Sequence, residues 1–468
     1  VPGAGAIAII YDGSTATIAA GAGERELGTI RLGPTEGSED SGHVIMNGGT
    51  LRIGGTEGDP KAVIGFSTVL STFIMNGGTI FFDGPDLAEL AGSTSGKGQN
   101  ELDWEVGEKG LGRFEMHNDA VMRLADDLKI AENAAGQGTC LIDGNARLSA
   151  GSGLSISGNG GIEQSMVIAG DAVVDLGNSM GAGSPEGHTD EGYLTMAFGN
   201  STALLTIQDN AVLNMRRLTA REGQSTIIVK NFGQLHIFAV LSGTGGSAAN
   251  RPAETGPNST YASAPAADTN IVSTLTLQDD AVMTVNSDPA SGPTKGLAIS
   301  GQRDSGNAGG KAKLIVRDRA SFRVEQDLML GVGVNPDTSD GALEVIGPNA
   351  QVLIEQNLDM AVDLDGNVVG LDPDQNPMPG KATLSAVITG ATHSKVNVAG
   401  LARITNGRLS VTLDGYTPTG GETYTLIQGG TIEGQFAETN FTAAPLLSGL
   451  SWAVEYATGA VRLKVNGQ

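Results

Sequence analysis

Two adjacent carboxylate pairs, Asp126–Asp127 and Asp279–Asp280, are the residues whose types come closest to polymer-cleaving chemistry. Such chemistry needs clustered carboxylates, or a carboxylate with calcium and a basic residue. Asp279–Asp280 fills the corner of a repeat, where turn formation already explains it, and no aromatic platform for a sugar lies nearby. Asp126–Asp127 ends one strand pattern and begins the next. The run from Gly177 to Gly181 matches G-x-S-x-G around Ser179, but glycine-rich sequence follows where a nucleophile elbow needs a helix. The stretch Gly92–Gly98 is one residue short of a phosphate loop and has Gly98 where Ser or Thr would meet magnesium. His43, His117, His188, His236 and His393 form no metal-ligand spacing. The single cysteine, Cys140, sits in the alternation TCLI (139–142) and reads as a small buried hydrophobe. No catalytic residue is assigned, and the chain reads as a non-enzyme.

Asp363, Asp365, Asn367 and Asp374 carry oxygen donors at spacings similar to an EF-type loop, with Val368 where the turn glycine belongs. Calcium is the cofactor they would take; an Asx-rich turn is the other reading. Asn200, Asn258 and Asn440 begin N-x-S/T sequons and are the glycosylation candidates, against chance occurrence.

The elements that must position these residues come from a short repeat. Two apolar positions spaced by one, a Gly/Asn/Asp corner, Ala or Gly, and two more apolar positions recur at roughly 20 to 40 residues. VIMNGGTLRI (44–53) and FIMNGGTIFF (73–82) are the clearest copies, followed by 114–124, 204–215, 275–285 and 314–324. Many copies lead to a third short run, such as DLKIA (127–131), GLSISG (153–158), GLAISG (296–301) and DLMLG (327–331). A unit this small cannot bury its own apolar face and must stack on its neighbours. The expected fold is all-β: a right-handed parallel β-solenoid, or β-helix, with loop insertions and a small antiparallel C-terminal module. A sandwich or propeller is the competing all-β arrangement, and the variable spacing weighs against a propeller.

DLKIA (127–131), a glycine-rich linker and TCLIDGNARL (139–148) together resemble the β-strand repeat of bacterial autotransporter passengers and PEP-CTERM-associated surface proteins. The resemblance covers about Val44 to Met360 in broken copies, and it implies export and display at the cell surface. GETYTLI (421–427), the G-x-F turn at 434–436 and GLSW (449–452) resemble the segment that closes such passengers. The Pro-Glu-Pro motif, membrane span and basic tail of that family are missing from the sequence.

Domain boundaries follow. Residues 1–43 hold an N-terminal strand pair, a cap or a strand donated to another molecule; 44–400 hold the repeats, with insertions at 242–270 and 359–381; 401–468 hold the C-terminal β module. Ile7, Ile9, Ile10, Tyr11, Trp452 and Tyr456 are the assembly candidates at the two ends. A formal net charge of -24 repels phosphate backbones and excludes nucleic acid as an expected partner. No apolar run of about 18 residues suggests a membrane span. With Val1 first and no basic n-region, a mature bacterial chain whose export signal was removed is expected, extracellular or at the cell surface. The expected function is a non-catalytic structural subunit that associates with itself in a filament, sheath, surface layer or matrix. The alternatives are a surface adhesin that binds cell-surface or matrix glycans and a polysaccharide-active β-helix.

Overall fold

The computed structural model describes residues 6–33, 39–54, 62–82, 103–131, 136–151, 153–157, 163–177, 192–197, 201–220, 223–238, 259–261, 272–286, 296–301, 311–332, 340–361 and 382–467. The regular elements among them are all strands, and no helix there is long and apolar enough to cross a membrane. The chain forms two compact units, and among the described residues the first holds those up to Leu218 with Gly223–Ser225 and the second holds the rest.

In the first unit, parallel pairing runs through three series of strands. One series starts at Ile7–Ile10 and continues through Thr29–Leu32, Ala62–Ile64, Trp104–Val106, Leu128–Ile130, Gly153–Ile156 and Tyr193–Met196. The other two run side by side through the repeats, which pair in register: Val44 lies opposite Phe73, Phe73 opposite Phe114, and Phe114 opposite Cys140. Because strand side chains alternate between faces, this register stacks apolar residues on apolar residues. Val44, Met46, Leu51 and Ile53 are buried, as are Phe73, Met75, Ile80 and Phe82 one rung on. Each such side chain contributes about 2 kcal/mol of burial. Trp104 enters this core from the first series, with its ring 5.2 Å from Phe73 and 5.4 Å from Phe114.

The second unit repeats the pattern. Val272–Leu277, Lys311–Arg317, Asp340–Ile346, Ala382–Ile388, Arg408–Leu413 and Glu438–Ala443 pair successively in parallel. Leu297–Gly301, Leu328–Val332, Leu358–Met360, Leu401–Arg403 and Thr431–Glu433 form another parallel series. Among the described residues, antiparallel pairing begins at Thr423–Gln428, which meets Ala460–Gly467, itself paired with Leu450–Ala457.

The corners explain the polar residues of the repeat. Asn118, Asp209, Asn231, Asp279 and Asp318 all have φ between 57° and 61°, a conformation that Asn and Asp tolerate better than other side-chain-bearing residues. Gly144 takes that place one rung after Asn118, and a Cβ there would lie 2.6 Å from the Asn118 nitrogen. The next residue along the corner alternates Asp119, Asn145, Asp171, Asn210 in the first unit. Asn145 Nδ2 donates to Asp119 Oδ1 at 3.0 Å, and Asn210 Nδ2 to Asp171 Oδ1 at 2.9 Å. In the second unit Asp280 accepts two bonds from Arg319, at 2.6 and 2.5 Å. Like charges directly opposite one another destabilise neighbouring strands; the alternation avoids them.

Candidate functional site

Among the described residues, a group of three carboxylates close enough to share an ion lies along the first series. Trp104 pairs with Leu128, Glu105 with Lys129 and Val106 with Ile130. The register is held by Trp104 N donating to the Asp127 carbonyl at 2.9 Å and by Ala62 N donating to the Asp103 carbonyl at 3.0 Å. Trp104, Val106, Leu128 and Ile130 fill the core. By strand alternation, Asp103 and Glu105 on one rung, and Asp127 and Lys129 on the next, share the opposite face.

The carboxylates at this site are closed to solvent: Asp103, Glu105, Asp126 and Asp127 are between 0 and 8 % exposed. Oxygens of Asp103, Asp126 and Asp127 all lie within 4.8 Å of one another. Lys129 Nζ sits 2.6 Å from Asp103 Oδ2, and Tyr193 OH donates to Asp127 Oδ2 at 2.7 Å. Gly153, paired with Tyr193, lets that hydroxyl arrive: a Cβ on Gly153 would lie 2.8 Å from the Tyr193 ring. Three carboxylates are the hard oxygen donors that calcium or magnesium accepts. Here the Lys129 ammonium already supplies positive charge at one of them. The arrangement gathers acids within reach of one another and brings a lysine amine against a carboxylate oxygen. It does not offer an accessible carboxylate pair to a polymer.

The other candidates are dispersed. Asp279 and Asp280 stand at a half-buried corner, where hydrogen bonding to Arg319 holds the Asp280 carboxyl below its usual range. Ile7, Ile9 and Tyr11 are 45 to 52 % exposed on and beside the strand Ile7–Ile10, while Ile10 is half-buried. Trp452 and Tyr456 are half-buried and make internal bonds: Trp452 Nε1 donates to the Ala444 carbonyl at 2.8 Å, and Tyr456 OH accepts from Phe436 N at 3.1 Å. Asn440 is exposed, and its Oδ1 accepts from Thr442 N at 3.0 Å. Cys140 is buried, which pushes its thiol far up. Asp363, Asp365, Asn367, Asp374, Asn200, Asn258, Ser179, His188 and the stretch 92–98 lie outside the described residues.

His117 bridges two rungs, with Nδ1 2.7 Å from Asp143 Oδ1 and Nε2 3.1 Å from Glu115 Oε2. Burial alone would lower its pKa; the bonds to Asp143 and Glu115 outweigh burial and raise it.

Of this site the sequence singled out Asp126 and Asp127. It missed Asp103, Glu105, Lys129 and Tyr193, although DWEVG (103–107) aligns with DLKIA (127–131) as a third-strand run. Comparison with family models, with curated proteins and with solved structures finds no match to this chain.

Proposed function

We propose that this chain is a right-handed parallel β-solenoid acting outside the bacterial cell as a non-catalytic structural subunit that associates with itself into a filament, sheath, surface layer or matrix. The observation that carries this reading is where the polar side chains go. Asn76 bonds Asn47, Asn145 bonds Asp119, Asn214 bonds Asp175, Arg323 bonds Glu355 and Arg403 bonds Asp359, each between successive rungs. Polar chemistry spent between rungs holds a stack of repeats together; an enzyme gathers it in an open cleft. Right-handedness follows from the general preference of parallel crossovers. Exposed Ile7, Ile9 and Tyr11 supply an apolar contact for a second copy. Electron microscopy of the purified chain in millimolar calcium, beside a chelated sample, tests the reading. Regular filaments or sheets support it, and their loss on chelation puts calcium in the contacts. Isolated particles in both samples at high concentration overturn self-assembly.

One surface favours the adhesin as a second reading. Phe81 lies between Arg52 and Arg123, whose guanidinium carbons are 5.0 and 5.6 Å from its ring centre. Arg147 is opposite Val121 on the adjoining rung. An aromatic ring between cations in an acidic chain suits an anionic glycan. Retention on an acidic polysaccharide column that Arg123→Glu abolishes supports this reading; elution of both proteins in the void volume removes it.

A further inference from the structure

An amine and a carboxyl group condense to an amide when contact is enforced, water is excluded and a third group carries the proton. Lys129 and Asp103 are held in contact, with the carboxyl buried and the amine half-buried. Lys129 Nζ is 2.6 Å from Asp103 Oδ2, and the parallel register of Trp104–Val106 with Leu128–Ile130 holds the two backbones together. The Asp103 side chain is 1 % exposed and that of Lys129 is 17 % exposed. The ion pairs Lys313–Glu344 and Lys464–Glu455 differ, with lysine side chains 43 % and 40 % exposed. Asp127 lies beside the pair, with an oxygen within 4.8 Å of one of Asp103, and Tyr193 OH donates to its Oδ2 at 2.7 Å.

We propose that Lys129 and Asp103 form an intramolecular isopeptide bond, with Asp127 as the proton carrier. The ion pair first exchanges a proton to give a neutral amine and a carboxylic acid, the form that low dielectric favours. The Nζ lone pair then adds to Asp103 Cγ, forming the N–C bond. The Asp127 carboxylate takes the surplus amine proton and returns it to the departing hydroxyl. The Cγ–O bond breaks and water leaves. Lys–NH3+ and Asp–COO− become an amide and one water, with no change of oxidation state and no co-reactant. The cross-link ties successive rungs covalently and does not depend on what the protein assembles into.

The test is the intact mass of the full denatured chain, followed by tryptic mapping. The expected mass is lower by one water. Trypsin should leave a branched product joining residues 98–109 to 124–147, uncut after the acylated Lys129. Mapping decides the matter, because an Asp–Gly step such as Asp143–Gly144 also loses water by cyclising onto its own backbone. Lys129→Arg, which keeps the charge, and Asp103→Ala should both restore full mass, and Asp127→Asn should slow the loss of water. Recovery of 98–109 and 124–129 as separate linear peptides from the natural chain overturns the proposal, wherever any water is lost.

Discussion

Replacing Asn145 by Asp tests whether the corner alternation of Asp and Asn is an electrostatic device. Asn145 is exposed and stands between Asp119 and Asp171 on neighbouring rungs, so folding puts three carboxylates in a row at the strand spacing. At about 4.8 Å, two unit charges repel by about 0.9 kcal/mol in a water-like dielectric. Two neighbours make this about 1.7 kcal/mol, and the lost Nδ2 bond to Asp119 adds about 1 kcal/mol. Asn145→Asp should therefore be about 2 to 3 kcal/mol less stable at low salt, and Asn145→Ala about 1 kcal/mol less stable. Local exchange of the amides of Asn145 and Asp171 is the assay, since these donate to the carbonyls of Asn118 and Gly144 at 2.7 Å. Repulsion raises the new carboxyl's pKa in the folded chain. The deficit is therefore present above that raised pKa and fades as pH falls through it toward the unfolded value. Salt at 1 M, where the Debye length is about 3 Å, should remove much of the difference between the Asp and Ala variants. Equal protection in the two variants, unchanged by salt and by acid, would refute the electrostatic account and leave the alternation as turn preference alone.

Trp104→Ala should destabilise the first unit by about 3 to 5 kcal/mol, because its ring touches Phe73, Phe82 and Phe114; a denaturant midpoint unchanged from the natural chain would contradict that packing. The buried Cys140 thiol should resist a thiol reagent in the native chain and react only on unfolding, read as labelling with and without denaturant. The raised pKa of His117 means that its bridge to Asp143 and Glu115 contributes fully below the unfolded value of 6.5 and is lost as pH rises through the folded value. The stability gap between the natural chain and His117→Gln should thus be largest near pH 6 and close on the alkaline side; a gap independent of pH counts against it. Glu422 behaves oppositely: burial alone would raise its pKa, but bonds from Tyr424, Thr419 and Tyr416 lower it to about 2. Its contribution should be present above 4.5 and vanish only as pH falls through about 2, so Glu422→Gln should flatten the acid unfolding of the C-terminal strands.

What could be read in advance was what is local. Period-two alternation in VIMNGGTLRI and FIMNGGTIFF already names Val44, Met46, Phe73 and Met75 as one face, and these are buried. The corner residues were legible as turns, because Asn and Asp reach positive φ without help from the rest of the chain. The alternation of Asp119, Asn145, Asp171 and Asn210 was not, since its meaning appears only when the rungs are in register. The same holds for the acidic cluster. Lys129 is 26 residues from Asp103, and Tyr193 is 66 residues from Asp127, with intervening lengths that vary between rungs. No fixed spacing can signal such a site. A carboxylate pair adjacent in sequence, Asp279–Asp280, ends in a half-buried corner where Asp280 is taken up by Arg319, while Asp127 meets side chains from other rungs. In a chain built this way, function has to be sought down the columns across rungs rather than along the strands, because parallel stacking concentrates charge and reactivity there.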